Sequence, residues 1–253
     1  MKSKRGQVTV FIIIAIIIVV LAMLIYSFYP GLKSRLSFDS ENPDLYIKNC
    51  VAEEFDLVLE KISLQGGNLN PDFFYLYKGE KLDYLCYTEN DYELCTVQRP
   101  FLREDIESQL NNAVKNKVDE CFDSLKEKYI SKGFSVDLKK GNIQTELLPG
   151  RVFSTFHAYE ISVTKGEESN RYSSFNMIVN NNLYELVSIA TNIIKWETII
   201  GEADIYNYNL LYHGMKFEKF EQGDGTRVYI LTNKENKNKF QFASRSLVFP
   251  PGL

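Results

Sequence analysis

The residues best suited to chemistry in this chain are its four cysteines, Cys50, Cys86, Cys95 and Cys121. All of them follow a long apolar run near the N-terminus. An even number of cysteines beyond such a run suggests disulfides formed in an oxidising compartment; the bland reading is buried free thiols. Four cysteines allow three pairings. Cys86 and Cys95 lie on two strand-like segments joined by Tyr87 to Leu94, so a hairpin would bring them opposite each other. Cys50 and Cys121 sit on the apolar stripes of two helical segments. These positions favour Cys50–Cys121 and Cys86–Cys95. Closing the longer loop, ~70 residues, contributes about 4 kcal/mol on loop-entropy grounds, and the hairpin bridge about 2–3 kcal/mol. A zinc site is not indicated, because the spacings are wide, no C-x-x-C occurs, and neither histidine is near a cysteine.

Other chemistry is sparse. His157 falls inside an alternating strand pattern, and His213 precedes Gly214 where a helix should end, a capping position. A hydrolytic triad needs a placed nucleophile and base. Ser154 and Ser162 are strand residues without a nucleophile-elbow pattern. Lys78-Gly79-Glu80-Lys81 and Gln222-Gly223-Asp224-Gly225-Thr226 lack phosphate-loop spacing and read as turns. Asp39-Ser40-Glu41 is too short a cluster for a calcium loop. Glu104, Asp105 and Glu107 belong to a first helical turn, where carboxylates favour the dipole. No catalytic residue, metal or cofactor is expected. The net charge of −4 offers no basic face for nucleic acid.

The elements that must position the cysteines are legible from periodicity. Asn42-Pro43 reads as a helix start, and a helix over 43–64 puts Ile47, Cys50, Val51, Phe55, Val58 and Ile62 on one stripe, ended by Gly66-Gly67. Residues 73–98 read as two or three short strands. A second helix over 102–131 repeats Ile106, Leu110, Val114, Val118, Cys121, Phe122, Leu125 and Tyr129 at three- and four-residue steps. Alternating segments follow: hairpin strands around the Lys140-Gly141-Asn142 turn, a long strand over 151–164 and another over 171–179. Residues 183–200 read as an apolar helix carrying the only tryptophan, Trp196. A hairpin across Gln222–Gly225 and a last strand over 239–248 complete an α+β layout, with helices packed on a largely antiparallel sheet.

Val8 to Ile25 carries no charge, and its only polar residue is Thr9. As a helix it would be ~27 Å long. Residues 26–29 extend it to the hydrocarbon thickness, with Tyr26 and Tyr29 where an interfacial aromatic belt belongs. The expectation is a single transmembrane helix over 8–29, with the lipid bilayer as its partner. Lys2, Lys4 and Arg5 precede it, which by the positive-inside rule keeps the N-terminus cytoplasmic. A cleaved secretory signal would have a shorter apolar region and end in small residues. The organisation expected is therefore a basic leader (1–7), the span (8–29), a linker (30–42) and an extracytoplasmic domain (43–253). A division into lobes 43–132 and 133–253 is the alternative to one compact domain.

Arg5-Gly6-Gln7-Val8-Thr9 before the apolar run resembles the class III signal peptides of archaeal type IV pilin-like proteins. The resemblance implies cleavage by a prepilin peptidase between Gly6 and Gln7, and self-association through the retained apolar helix. Thr9 occupies the third mature position, where Ser or Thr is common. Phe11 stands at the fifth, where Glu is usual, a departure that bears on filament assembly more than on processing. The layout of Arg5-Gly6-Gln7, Cys50, Leu64-Gln65-Gly66-Gly67 and Cys121 also resembles membrane-anchored surface proteins of small-genome archaea. Together these features imply a non-enzymatic surface protein serving adhesion, envelope structure or partner contact. The alternatives are a filament subunit and a membrane-tethered extracytoplasmic enzyme.

Overall fold

The computed structural model describes residues 14–20 and 42–249. Residues 14–20 are helical. Pro43–Leu253 forms a compact unit by itself.

Helix α1, Pro43–Leu64, buries Ile47, Val51, Phe55, Leu59 and Ile62. It stops at Gly66 and Gly67, both at positive φ, where the Gly67 N–H bonds back to the Ile62 carbonyl at 2.8 Å. Strands β1 (Phe74–Tyr77), β2 (Glu80–Tyr87) and β3 (Thr96–Val97) lead to helix α2, Leu102–Ser131. The two helices run antiparallel. Gln109 of α2 bonds Gly67 and Leu69 just past the end of α1, while the Lys128 ammonium sits 4.9 Å over the Tyr46 ring near its start. Between these ties Cys50 and Cys121, on facing apolar stripes, form a disulfide. The second disulfide joins Cys86 to Cys95.

Strands β4 (Ser135–Lys139), β5 (Asn142–Leu148), β6 (Arg151–His157), β7 (Glu160–Lys165), β8 (Glu168–Tyr172) and β9 (Asn176–Asn180) follow. They build two three-stranded antiparallel sheets, β4-β7-β8 and β5-β6-β9. The single strand expected over 151–164 is two strands in different sheets. The break is Ala158, at φ 60, a left-handed conformation that ends the β6 ladder. Tyr159 then turns inward and stacks on Phe122 at 4.5 Å.

Helices α3 (Leu183–Ile200) and α4 (Ile205–Leu211) and strands β10 (Met215–Glu221), β11 (Arg227–Asn233) and β12 (Lys239–Arg245) complete the unit. The main sheet has order β1-β2-β12-β11-β10, with β3 also paired to β2. Residues from both sides of position 132 share one core.

The main sheet is mixed, which corrects the expected largely antiparallel one: β12 enters between β11 and β2 and runs parallel to β2. Hairpin signals reveal only neighbours in sequence, whereas this pairing joins strands far apart in the chain. The sheet also curls. Strands β1 and β10 would lie ~19 Å apart in a flat sheet of this order. Instead, the Tyr77 ring lies 6.0 Å from Phe220, and the Tyr75 hydroxyl donates to Gln222 at 3.2 Å. Inside the curl Leu82, Tyr84, Val228, Ile230 and Ala243 form a second small core. Burial there pushes the Tyr84 phenol up to about 12, and its hydroxyl pairs with Thr226 at 2.8 Å.

The expected transmembrane helix over 8–29 is likewise corrected. Among the described residues no helix is long and apolar enough to cross a membrane. Positions 8–13 and 21–29, including Tyr26 and Tyr29, lie outside the described residues, as do Gly6 and Gln7.

Candidate binding cleft

A cleft of about 620 Å³ opens where four segments of the compact unit meet. These are the loop 88–95 between β2 and β3, the connection that follows α3 at Glu202, the β10–β11 turn, and the chain beyond β12. Each is held by an identifiable device. The loop 88–95 is closed at its base by the Cys86–Cys95 disulfide. Arg245, at the end of β12, binds three of the segments together. Its guanidinium donates to the carbonyls of Thr88 (2.7 Å) and Glu89 (3.0 Å), to the Asp91 carboxylate (3.0 Å) and to the Asp224 carbonyl (3.0 Å).

The wall behind the cleft is a buried polar cluster around Glu197, whose side chain has no exposure. Its carboxylate accepts from Arg227 (2.9 Å), Ser244 (3.1 Å) and the Tyr229 hydroxyl. Arg227 also donates to the carbonyls of Gly201 and Ser246. The Ser246 hydroxyl donates to the Glu197 carbonyl at 2.8 Å and accepts the Cys95 N–H at 3.0 Å, linking α3 to the disulfide. Burial raises the Glu197 carboxyl above its ordinary range, against hydrogen bonds and charge from Tyr229, Arg227 and Ser244 that lower it. Burial and the facing Glu197 carboxylate both push the Tyr229 phenol up, so it stays a proton donor.

The rim carries backbone strain. Tyr92 and Leu247 hold φ of 60° and 46°, where large L-residues are rare. They are held there by two cross-bonds, Tyr92 N–H to the Val248 carbonyl (3.0 Å) and Leu247 N–H to the Glu93 carbonyl (2.7 Å). Glycine is required opposite this segment. A Cβ on Gly201 would sit 2.4 Å from Leu247, and one on Gly225 would sit 2.4 Å from Val248. The exposed rings of Tyr92 and Phe249 meet edge-to-face at 5.6 Å on the rim.

The cleft offers an aromatic rim and several carboxylates to a ligand. Most of these acids are already engaged. Asp91 pairs with Arg245, Glu202 with Lys219, and Asp224 accepts the Thr226 N–H. No serine, threonine, cysteine or histidine is among the described lining residues. No group of three or more His, Cys, Asp or Glu placed to hold a metal occurs among the described residues. No protein-family model, curated protein or solved structure matches the chain.

Of the residues singled out from sequence, the turn Gln222-Gly223-Asp224-Gly225 lines this cleft, and Cys86 and Cys95 close the loop beside it. Cys50 and Cys121 join the two long helices instead. His157 is exposed at the end of β6, and His213 lies in the turn after α4, where its carbonyl accepts from Lys234. Glu107 of the first-turn acids accepts the Leu147 N–H at 2.8 Å, tying α2 to β5. Sequence reasoning missed Glu197, Arg227, Arg245, Tyr92 and Phe249. One signal was present: Glu197 continues the apolar stripe of Leu186, Ala190, Ile193 and Ile194, and an acid on a buried stripe demands a partner.

Tyr92→Asn should raise stability by about 1 kcal/mol, because Asn tolerates the left-handed region that costs Tyr roughly 1–2 kcal/mol. A higher urea midpoint at unchanged slope is the expected reading. A lower midpoint would mean that the Tyr92–Phe249 contact outweighs the strain.

Proposed function

We propose that this chain is a non-enzymatic protein of the cell surface, kept at the membrane with its globular unit on the outer side, and that the cleft contacts an external partner. The observation that carries this reading is the pair of closed disulfides, with no free cysteine among the described residues. Such bonds persist in oxidising compartments. Further support comes from residues 14–20, apolar throughout and exposed, and from the basic flank that precedes the apolar run. Export follows the pilin-like signal, with a prepilin peptidase cutting between Gly6 and Gln7.

The test is the intact mass and N-terminal sequence of the chain purified from its own membranes without reductant. A start at Gln7 and a mass short of two hydrogens per bridge are expected. Free thiols would remove the outer-side placement, and a start at Met1 would remove the processing step. Contact through the cleft is tested separately by retention of the purified protein on envelope preparations. Phe249→Ala with Asp91→Ala should lower retention about tenfold, the loss typical of residues that dominate an interface. Equal retention would show that the partner binds elsewhere.

A further inference from the structure

Away from the cleft, the last turn of α3 and one face of α4 present apolar side chains to solvent. Leu211 is 75% exposed, Tyr206 71% and Trp196 45%, with Ile200, Leu210 and Tyr212 exposed beside them. A groove of about 380 Å³ runs between the helices, its apolar wall formed by Trp196, Ile200, Leu211 and Tyr212. Its floor is fixed: the Tyr208 hydroxyl donates to Asn192, and the Tyr208 ring packs 5.7 Å from Phe217. So the face is built on rigid support and left uncovered. Exposed apolar patches of this kind mark interaction sites with proteins or membranes.

We infer that this face lies against a lipid surface; the inference rests on the reading that the chain resides at a membrane. Three observations favour lipid over another occupant. The side chains combine aliphatic bodies with Trp and Tyr, whose rings carry one polar tip, the mixture that settles at the headgroup level. The acids beside the patch are occupied, Glu202 by Lys219 and Asp204 by the N–H groups of Tyr206 and Asn207, while Lys195, adjacent to Trp196, is exposed. Glu202 thus carries a cationic partner, and the Asp204 carboxylate is directed at the N-terminus of α4. Finally, the same chain carries the uncharged run Val8–Ile25, which on that reading holds it at a lipid surface.

Trp196 is the only tryptophan, so its fluorescence reports this face alone. The full chain is reconstituted into vesicles containing anionic lipid, with and without acyl chains brominated near the headgroup. An interfacial depth of about 5–10 Å puts Trp196 within reach of the bromines, so its emission should shift to the blue and fall about twofold with brominated lipid. Leu211→Asp with Tyr206→Asp should abolish the quenching while the chain still sediments with vesicles and keeps its circular dichroism. If the chain sediments but Trp196 stays open to aqueous iodide and blind to bromine, the lipid face is wrong and the membrane reading survives. If the chain does not sediment, both fall. A blue shift that depends on protein concentration and ignores bromine would assign the face to a second copy of the chain.

Discussion

Glu197→Ala should destabilise the compact unit by about 3–5 kcal/mol, because truncating one partner of a buried pair strands the other. Arg227 would keep its charge at 12% side-chain exposure with only the Gly201 and Ser246 carbonyls as acceptors. The Tyr229 and Ser244 hydroxyls would lose their acceptor as well. At roughly 2–4 °C per kcal/mol for a unit of this size, the melting temperature should fall about 6–20 °C. A fall of only a degree or two would mean that water replaces the carboxylate and the cluster is not closed.

The same residue gives a pH dependence with a definite sign. Burial raises the Glu197 carboxyl in the folded state above the ordinary value of 4.5. The folded chain then holds a proton that the unfolded chain releases, so this group favours folding more as pH falls. Its contribution is fully present below the unfolded value and is lost as pH rises through the folded one. Wild type should therefore gain stability relative to Glu197→Gln, which cannot titrate, as pH is lowered from neutral toward the ordinary carboxylate value. Denaturant midpoints of the pair at several pH values provide the test, and a constant or shrinking difference would reverse the assigned direction.

Removing the helix–helix disulfide, as Cys50→Ala with Cys121→Ala, should cost about 4 kcal/mol. The bridge spans a sequence separation of 71 and its loss frees that loop in the unfolded chain. The Cys86–Cys95 bridge, with a separation of 9, should matter less to the whole unit, about 2–3 kcal/mol, and more to the cleft. Thermal melts of the two double variants separate the roles. If both lost the same amount, loop length would not be what sets the stabilisation.

The long helices Pro43–Leu64 and Leu102–Ser131 were legible, with bounds expected at about 43–64 and 102–131, because their apolar stripes are unbroken and glycines follow them closely. The favoured cysteine pairing followed from the same stripes and from the hairpin around residue 90. What could not be read depends on long-range neighbours. Ala158 carries no turn signature, so two strands looked like one. The parallel β2–β12 pair has no local signal, and the curl that brings Tyr77 to Phe220 depends on it. The cleft combines residues near 91, 202, 224 and 247, each of them an ordinary loop position when read alone.

The place of β12 has a consequence for the order in which the molecule can form. It is the last of the described strands, yet it lies inside the main sheet, between β11 and β2. Strands β1 and β2 therefore have no central partner until residue 245 has been made and delivered. Loop closure over so long a separation delays assembly, and exposes β2 in the meantime. The sheet can therefore close only when β2 and β12 are on the same side of any barrier the chain crosses.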